Sequence, residues 1–224
     1  YNIRKYGFHG ISHQYIMEEV SKIANIPAKK LKIISCHLGN GASICAIKNG
    51  KSVDTSMGFT PLEGVIMGTR CGDIDPAIIF FLMKKEKLSV KEVDNLLNKK
   101  SGLFGISGIS PDVRVLWASE KKGNKKAHLA LNVLAYRITK YIGAYIAILN
   151  GVDAIVFTAG IGENAYYLRE KILKNFEYIG LKVDKTRNKN NELIISAKDS
   201  KIKALVIPTN EELQIARETF ELVK

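Results

Sequence analysis

The chain has 224 residues, of which 46% are apolar and 25% are charged, and these values are typical of a globular protein with one large or two small domains. Its net charge of +12 comes mainly from lysines scattered over predicted helices and turns, without interleaved aromatic residues, which argues against a nucleic-acid partner. The apolar stretch 133–149 contains Arg137 and Lys140, so we do not expect it to span a membrane.

The cysteines indicate a reducing compartment. Cys36, Cys45 and Cys71 are odd in number and lack CxxC spacing. No charged start followed by an apolar core, the pattern of a secretory signal, occurs near Tyr1. We therefore expect free thiols in a cytoplasmic protein.

The first half of the chain alternates helices and strands. The spacing predicts a helix over 12–24, a strand over 31–36, and a hairpin of SICAI and SVDT that turns at Asn49 and Gly50. A helix is predicted after Asp75 and Pro76. Ser89 with Glu92 predicts a capping box for a helix over 90–98.

The second half continues the alternation after the glycine-rich segment SGLFGISGIS, for which we predict no element. Helices near 112–120 and over about 125–149 precede a strand at 153–158, and AGIGEN is expected to open the next helix. LIIS and a strand at 202–207 are predicted to close the sheet, and an amphipathic helix over 211–223 ends the chain. We expect a continuous α/β arrangement without repeats.

Four polar glycine loops stand out: YGFHGISH (6–13), HLGNGAS (37–43), MGTRCGDIDP (67–76) and AGIGEN (159–164). Glycine lets a backbone turn sharply and approach an anion closely. The neighbouring His, Asn, Arg and Asp side chains are those that phosphoryl transfer requires, so the loops predict a nucleotide phosphate site.

AGIGEN also permits a second interpretation. Gly160, Gly162 and Ala165 fit the G-x-G-x-x-A pattern of a dinucleotide-binding turn, and Asp184 follows about 20 residues later, as a ribose-binding acid would. This reading leaves the other three loops unexplained.

The longer motifs carry a family resemblance. YGFHGISH, HLGNGASI, DTSMGFTPLEGVIMGTRCGDIDP, FTAGIGEN and IPTNEE resemble the acetate kinase family, within the superfamily of sugar kinases, heat-shock proteins and actin-like ATPases. The resemblance implies an α/β fold of ribonuclease H-like (actin-like ATPase) type, with a mixed sheet flanked by helices. It also implies a homodimer that phosphorylates acetate reversibly to acetyl phosphate, with ATP/ADP as co-substrate and Mg²⁺ as cofactor.

The resemblance also assigns residue roles. It makes His9 the active-site histidine and Arg70 the catalytic cation, whose planar fork suits the charge of a phosphoryl group in transfer. Glu211 would help to hold Mg²⁺ through water. The nucleotide-binding residues it implies are His37, Asn40 and Gly41 on the phosphate path, Asp112 and Arg114 beside the adenosine, and Gly160, Ile161, Gly162, Glu163 and Asn164 around base and ribose.

Several neighbours of these residues have two readings. His13 is either a structural histidine or a participant, and His128 is expected at the surface. Asp73 is expected to orient Arg70 or to cap the next helix, and for Asp75 capping is favoured. The remaining ambiguous residues are Trp117, Tyr166 and Tyr167, for which core packing is favoured over adenine stacking, and Glu212, which fits the acidic first turn of a helix.

Departures from the family pattern limit the functional expectation. Ile11 replaces the usual Thr and Cys71 the usual Ser, and the sequence lacks the N-terminal domain with its N-x-G-S-S-S-x-K loop, substrate-binding arginine and metal-binding aspartate. We therefore expect residues 1–210 to be the C-terminal nucleotide-binding domain and 211–224 a helix that packs on the absent N-terminal domain. Little turnover is expected from this chain alone. A propionate or butyrate kinase, or a non-catalytic nucleotide-binding or dimerisation module, stays open.

Overall fold

A mixed five-stranded sheet forms the centre of the fold, in a computed structural model that describes residues 1–224. The strand order is β3-β2-β1-β4-β5. The β1–β2 and β2–β3 pairs are antiparallel, whereas β1–β4 and β4–β5 are parallel. The strands are β1 (Lys32–Leu38), β2 (Ala42–Lys48), β3 (Lys51–Thr55), β4 (Ala154–Thr158) and β5 (Lys203–Val206). The predicted mixed sheet is thereby confirmed.

Helices cover both faces of this sheet. None of them is both long enough and apolar enough to cross a membrane. The helices are α1 (Gly10–Ala24), α2 (Ala77–Lys85), α3 (Val90–Lys99), α4 (Gly102–Ser107), α5 (Val113–Lys121), α6 (Lys125–Leu149), α7 (Ala159–Asn164), α8 (Tyr166–Leu173), α9 (Lys185–Lys189) and α10 (Glu211–Leu222).

The alternation of side chains along β1 separates two cores. Ile34, Cys36 and Leu38 point into the larger core, which α6 covers. Ile33, one residue out of phase, packs into the smaller core together with Ile16 of α1. Ser35 and His37 share the phase of Ile33 and therefore lie on the α1 face, where the polar residues of the site collect.

The local signals that depend on few residues are confirmed. Asn49 and Gly50 both have positive φ, 57° and 74°, as the two-residue hairpin turn requires. The Ser89–Glu92 capping box is present, and Asp75 accepts a hydrogen bond from the Ala77 amide at the start of α2. Helix α6 has the predicted bounds.

Three local predictions differ from the structure. The segment SGLFGISGIS contains helix α4. AGIGEN does not open a longer helix but forms the short helix α7, which ends at Asn164 and is separated from α8 by Ala165. LIIS does not form a sheet strand: it lies along the free outer edge of β5, where Ile194 bridges Leu205, and its other bridge, Ser196 to Val183, turns away from the sheet, so the pairing stays isolated.

Candidate active site

The candidate site lies where the parallel strands β1 and β4 end. His37 and Thr158 are register partners in this pair, so the HLGNG loop and helix α7 leave the same edge of the sheet. In open α/β sheets this carboxyl edge is where ligands bind. Ala159 begins α7 with φ of 63°, a left-handed conformation that is costly for a residue with a Cβ and is common at functional sites.

Three histidines gather on the α1 side of this edge. His9 and His37 stack with ring centroids 3.9 Å apart and an interplanar angle of 11°. His13, one turn into α1, packs edge-on to both rings. His9 precedes α1 with φ of 61°, another left-handed residue, and this backbone turn directs its ring toward His37.

Hydroxyl groups hold the three rings. Ser43 Oγ lies 2.8 Å from His9 Nδ1 and 2.7 Å from His13 Nε2. Ser35 Oγ lies 2.9 Å from His13 Nδ1, and Ser12 Oγ lies 2.8 Å from His37 Nδ1. His13 thus has both ring nitrogens bonded inside the protein, which supports the structural alternative predicted for it.

The environment keeps all three imidazoles neutral near pH 7. Burial lowers the pKa of His13 to about 3, assisted by the nearby His37 and His9. Burial also lowers the pKa of His37 to about 4, with a further contribution from His9. For His9, burial and then the positive charge of Arg70 lower the pKa.

Arg70 and Gly41 complete this cluster. A Cβ at Gly41 would lie 3.4 Å from Arg70 Nη1 and 3.4 Å from His9 Nε2, so the glycine backbone lies between the two side chains. The Arg70 guanidinium donates to Pro61 O at 3.3 Å and has no carboxylate partner. The arrangement leaves a cation and an imidazole facing one position beside a bare backbone, which suits an anionic group.

Asp73 does not orient Arg70 and does not cap α2, so both predicted roles are wrong. Its carboxylate accepts from Arg137 and from Tyr141 Oη at 2.7 Å, both on α6, and from the Gly64 amide at 2.8 Å. Asp73 therefore ties the loop that carries Arg70 to the longest helix. Sequence reasoning missed Arg137 and Tyr141 because they lie more than 60 positions away.

A cavity of about 750 Å³ opens next to the histidine cluster. This volume is within the usual range for ligand pockets. The HLGNG loop connects the two regions, since Asn40 lines the cavity while Gly41 faces Arg70. The predicted site residues that line the cavity are Asn40, Asp112, Arg114, Gly160, Ile161 and Asn164.

Trp117 and Tyr167 form a wall of the cavity, although core packing was the role that the sequence favoured for them. The rings of Trp117 and Tyr167 are stacked, with centroids 3.9 Å apart and an interplanar angle of 4°, and both line the cavity. Both also contact the larger core, so the favoured core reading is correct but incomplete. Tyr166 packs against that core without lining the cavity.

Gly162 and Glu163 do not line the cavity. Gly162 is a packing residue, because a Cβ there would lie 3.3 Å from the carbonyl carbon of Phe157 in β4. Its carbonyl and that of Glu163 accept from Arg169 Nη1 at 2.7 and 2.9 Å. Asp184 is likewise absent from the cavity lining and caps α9 by accepting from Thr186 and Arg187 amides, which removes the acidic residue of the dinucleotide reading.

Comparison with known proteins identifies the family. The model of the acetokinase family matches residues 1–217. The chain belongs to this family.

Relatives and solved structures of the family agree with the match. The chain is 58% identical over 226 residues to the acetate kinase of Acetivibrio thermocellus and 57% identical over 226 residues to that of Methanosarcina thermophila, with 100% of this chain covered in each. The crystal structure of Porphyromonas gingivalis acetate kinase superposes with a TM-score of 0.96 at 46% identity, covering 99% of this chain. A propionate kinase from Francisella tularensis superposes with a TM-score of 0.92 at 46% identity over 97% of it.

The 224 residues correspond to little more than half of an acetokinase family member. The chain spans only 57% of the Acetivibrio relative, 55% of the Methanosarcina relative and 56% of the Porphyromonas chain. The predicted ribonuclease H-like, actin-like ATPase fold is confirmed for this span, with its mixed sheet and flanking helices.

The donor set of this acetokinase chain contains no preformed metal site. No group of three or more His, Cys, Asp or Glu side chains is arranged to hold a metal ion. Glu211 begins α10, two residues after Thr209, whose hydroxyl donates to Ser12 Oγ at 2.9 Å beside His37. Mg²⁺ commonly binds one or two carboxylates together with substrate phosphates, so a single glutamate near this edge fits a metal delivered with the nucleotide.

The structure also shows the surroundings of His128, Glu212 and the three cysteines. His128 is exposed and lies 2.7 Å from Glu120 Oε1, as expected for a surface histidine. Glu212 is exposed in the first turn of α10. All three cysteines are free, and Cys36 and Cys45 are buried.

Proposed function

We propose that this chain is the nucleotide-binding part of an acetate kinase, an enzyme that transfers a phosphoryl group reversibly between ATP and acetate. The observation that carries the proposal is the convergence of His9 and Arg70 on Gly41, the residue after Asn40, which lines a cavity together with Asp112 and Arg114. The acetate kinases among its relatives support the choice of acetate as the acceptor.

The cavity suits a nucleoside. Trp117 and Tyr167 supply an aromatic wall, and Asn40 and Asn164 supply amide groups that can donate and accept hydrogen bonds. The Asp112 carboxylate, which accepts from Arg114 Nη2 at 2.6 Å, fixes the first turn of α5 at the rim. We assign Gly160 and Ile161 of α7 to the base and ribose, and Gly162 and Glu163 to the packing that holds α7 in place.

The phosphate end is assigned to the histidine cluster. We propose that Arg70 is the catalytic cation, because its guanidinium can spread the charge of the transferred group over two donors. His9 and His37, neutral near pH 7, would donate hydrogen bonds without adding charge. The Gly41 backbone, without a Cβ, allows the phosphoryl group to approach both side chains.

Magnesium would reach the site with the nucleotide. Glu211 would hold it through water, and the ion would neutralise phosphate charge during transfer. Hydrogen bonds link His37 through Ser12 to Thr209, which lies just before α10, and His37 also stacks on His9. These contacts would fix the start of α10 relative to His9.

We propose that turnover requires residues outside these 224. The chain spans little more than half of its relatives, and Arg70 is partly exposed. Phosphoryl transfer needs donor and acceptor held in line in a closed cleft. We therefore expect nucleotide binding, but little acetyl phosphate synthesis, from the chain alone.

Nucleotide binding is the direct test. Mg·ADP titrated into the chain should release heat and raise the thermal midpoint at millimolar nucleotide. Trp117→Ala should weaken binding about tenfold, since loss of one stacking partner is worth roughly 1–1.5 kcal/mol. Tyr178→Ala is the matched control, because Tyr178 is 76% exposed and does not line the cavity. Absence of heat and of stabilisation, or preference for NADH over ADP, would contradict the proposal.

Propionate is the second candidate acceptor. The Francisella propionate kinase has the same identity to this chain, 46%, as the Porphyromonas acetate kinase, so the described half does not separate the two acceptors. Competition among acetate, propionate and butyrate in the enzyme that contains this chain distinguishes them. A kcat/KM for propionate or butyrate above that for acetate would favour the longer acyl group.

We also propose a cytoplasmic homodimer. Helix α2 has no buried residue, and Phe80 and Phe81 are 71% and 58% exposed, while Tyr136 on α6 is 64% exposed. Such apolar surface on a monomer is typical of an interface. Light scattering at micromolar concentration should give twice the 24.9 kDa chain mass. A monomer mass would contradict the proposal.

The terminal helix α10 is assigned to contact with the rest of the enzyme. Its Gln214 packs on α1 and donates to Glu18 Oε1, while Ile215, Phe220 and Val223 are 48%, 58% and 75% exposed. We propose that 1–210 form the nucleotide-binding domain and that 211–224 pack on the N-terminal domain that the family resemblance implies. Protection of α10 amides from hydrogen exchange in the larger enzyme, compared with this chain, measures that contact.

A further inference from the structure

The proton of neutral His9 lies on either Nδ1 or Nε2, and the hydrogen bonds around the ring determine which. A series of hydrogen bonds runs through three buried groups to His9: it joins Ser35 to His13 at 2.9 Å, His13 to Ser43 at 2.7 Å, and Ser43 to His9 at 2.8 Å. Each hydroxyl has one proton to donate, and each neutral imidazole has one N–H and one acceptor nitrogen. The direction of the whole series therefore follows once one end is fixed.

Ser35 fixes that end. Its side chain is fully buried, with 0% exposure, and His13 Nδ1 is its one hydrogen-bond partner. A buried hydroxyl without an acceptor is costly, so the Ser35 O–H donates to His13 Nδ1. Neutral His13 must then carry its proton on Nε2, which donates to Ser43 Oγ. Strong lowering of the His13 pKa by burial is consistent with the neutral form.

The Ser43 hydroxyl, which accepts from His13, donates its own proton to His9. Its hydroxyl has two acceptors within reach, His9 Nδ1 at 2.8 Å and Phe8 O at 3.3 Å. Hydroxyl hydrogen bonds are usually 2.5–3.0 Å long, so His9 Nδ1 is the acceptor. We propose that Ser35, His13 and Ser43 form a one-way hydrogen-bond chain that holds His9 as the neutral tautomer protonated at Nε2.

This tautomer determines what His9 offers to a ligand. Its Nε2 faces the Gly41 backbone beside Arg70. An Nε2–H is a donor to a phosphoryl oxygen, whereas the other tautomer would present a lone pair to an anion and repel it. This consequence rests on the proposed phosphoryl transfer, but the tautomer itself does not. Ser35, His13 and Ser43 are thus positioning residues for His9.

The tautomer is measured directly in the 224-residue chain. Long-range ¹H–¹⁵N correlation of histidine rings distinguishes a protonated from an unprotonated nitrogen at Nδ1 and Nε2. We expect His9 to be protonated at Nε2 and unprotonated at Nδ1 at pH 7, and His13 likewise. A proton on His9 Nδ1 in the unmodified chain would overturn the proposal.

Variants then test the cause. Ser43→Ala should convert His9 to a mixture of tautomers or to the Nδ1–H form, and Ser43→Thr, which keeps a hydroxyl, should restore Nε2–H. His37 is the internal reference, because Ser12 rather than Ser43 holds its Nδ1. Ser196→Ala is the matched control, since Ser196 is 1% exposed and its hydroxyl has no partner. If Ser43→Ala does not fold, Ser35→Ala tests the other end, where His13 loses the hydroxyl that donates to its Nδ1 and should become a mixture of tautomers or shift to Nδ1–H. An unchanged His9 tautomer in a folded Ser43→Ala chain, or an unchanged His13 tautomer in a folded Ser35→Ala chain, would overturn the proposal.

Kinetics in the enzyme that contains this chain separate this inference from the proposed function. Ser43→Ala should lower kcat by roughly 10- to 100-fold, the worth of one hydrogen bond to a charged group, with the KM for ATP nearly unchanged. Ser43→Thr should recover most of the loss. A shifted tautomer with normal kcat would contradict the donor role of His9. The proposed function fails separately, through absence of nucleotide binding, whatever the tautomer.

Discussion

Arg169 provides the sharpest stability prediction, because it is a buried cation that no carboxylate neutralises. The side chain is 1% exposed, and burial lowers its pKa to about 10. Its guanidinium donates to Gly162 O, Glu163 O, Asn188 Oδ1, Asn188 O and Asn191 Oδ1. It therefore joins the C-terminal end of α7 to the α9 segment.

The expected loss of unfolding free energy follows from the number of acceptors that Arg169 satisfies. Arg169→Met keeps an unbranched apolar stem but removes all five hydrogen bonds, and each orphaned acceptor costs about 1 kcal/mol or more. Relief of the buried charge offsets part of this cost, so we expect a loss of about 3–5 kcal/mol in the free energy of unfolding. For a chain of this length, that loss corresponds to a thermal midpoint about 10 °C lower.

Urea denaturation followed by circular dichroism measures the loss. Arg187→Met is the matched control, because Arg187 is partly exposed and its carboxylate partners Asp184 and Glu192 lie 3.7 and 3.8 Å away. The control should cost less than about 1 kcal/mol. Arg169→Met should also weaken Mg·ADP binding, since α7 lines the cavity. An Arg169→Met loss below about 1 kcal/mol would refute the reasoning and indicate that water satisfies the freed carbonyls.

Three further outcomes are expected. Because the pKa values of His13 and His37 fall from 6.5 to about 3 and 4, the unfolded chain binds protons between pH 6.5 and 4 that the folded chain does not. Stability should therefore fall on acidification by up to about 1.4 kcal/mol per pH unit for each histidine, and a urea midpoint at pH 5 equal to that at pH 7 would be inconsistent with this. In the larger enzyme, Arg70→Ala should lower kcat roughly 100-fold or more with little change in nucleotide affinity, and Arg70→Lys should recover little; a raised KM with normal kcat would mean ground-state binding only. Asp73→Asn should cost about 1–3 kcal/mol by weakening the bonds to Arg137 and Tyr141, and an unchanged urea midpoint would exclude Asp73 as the anchor of the Arg70 loop.

The sequence by itself determined the features that depend on a few adjacent residues. The turn at Asn49 and Gly50, the capping box at Ser89 and the bounds of α6 follow from local geometry and periodicity, which tertiary packing left in place. The long motifs determined the family in the same way, because an ordered run of specific residues does not recur by chance.

Only the tertiary structure decided which distant side chains meet. LIIS has the composition of a strand, but it pairs with the edge strand β5 only at Ile194, and Ser196 bridges Val183 outside the sheet instead. Asp73 could have served Arg70 on spacing alone, yet the crossing of α6 brings Arg137 to it. The link from Ser35 through His13 and Ser43 to His9 depends on the register of β1 against β2 and on the placement of α1 over both. Such contacts join residues that are far apart in the chain, and hydrogen-bond direction depends on each partner's burial, which no local pattern encodes.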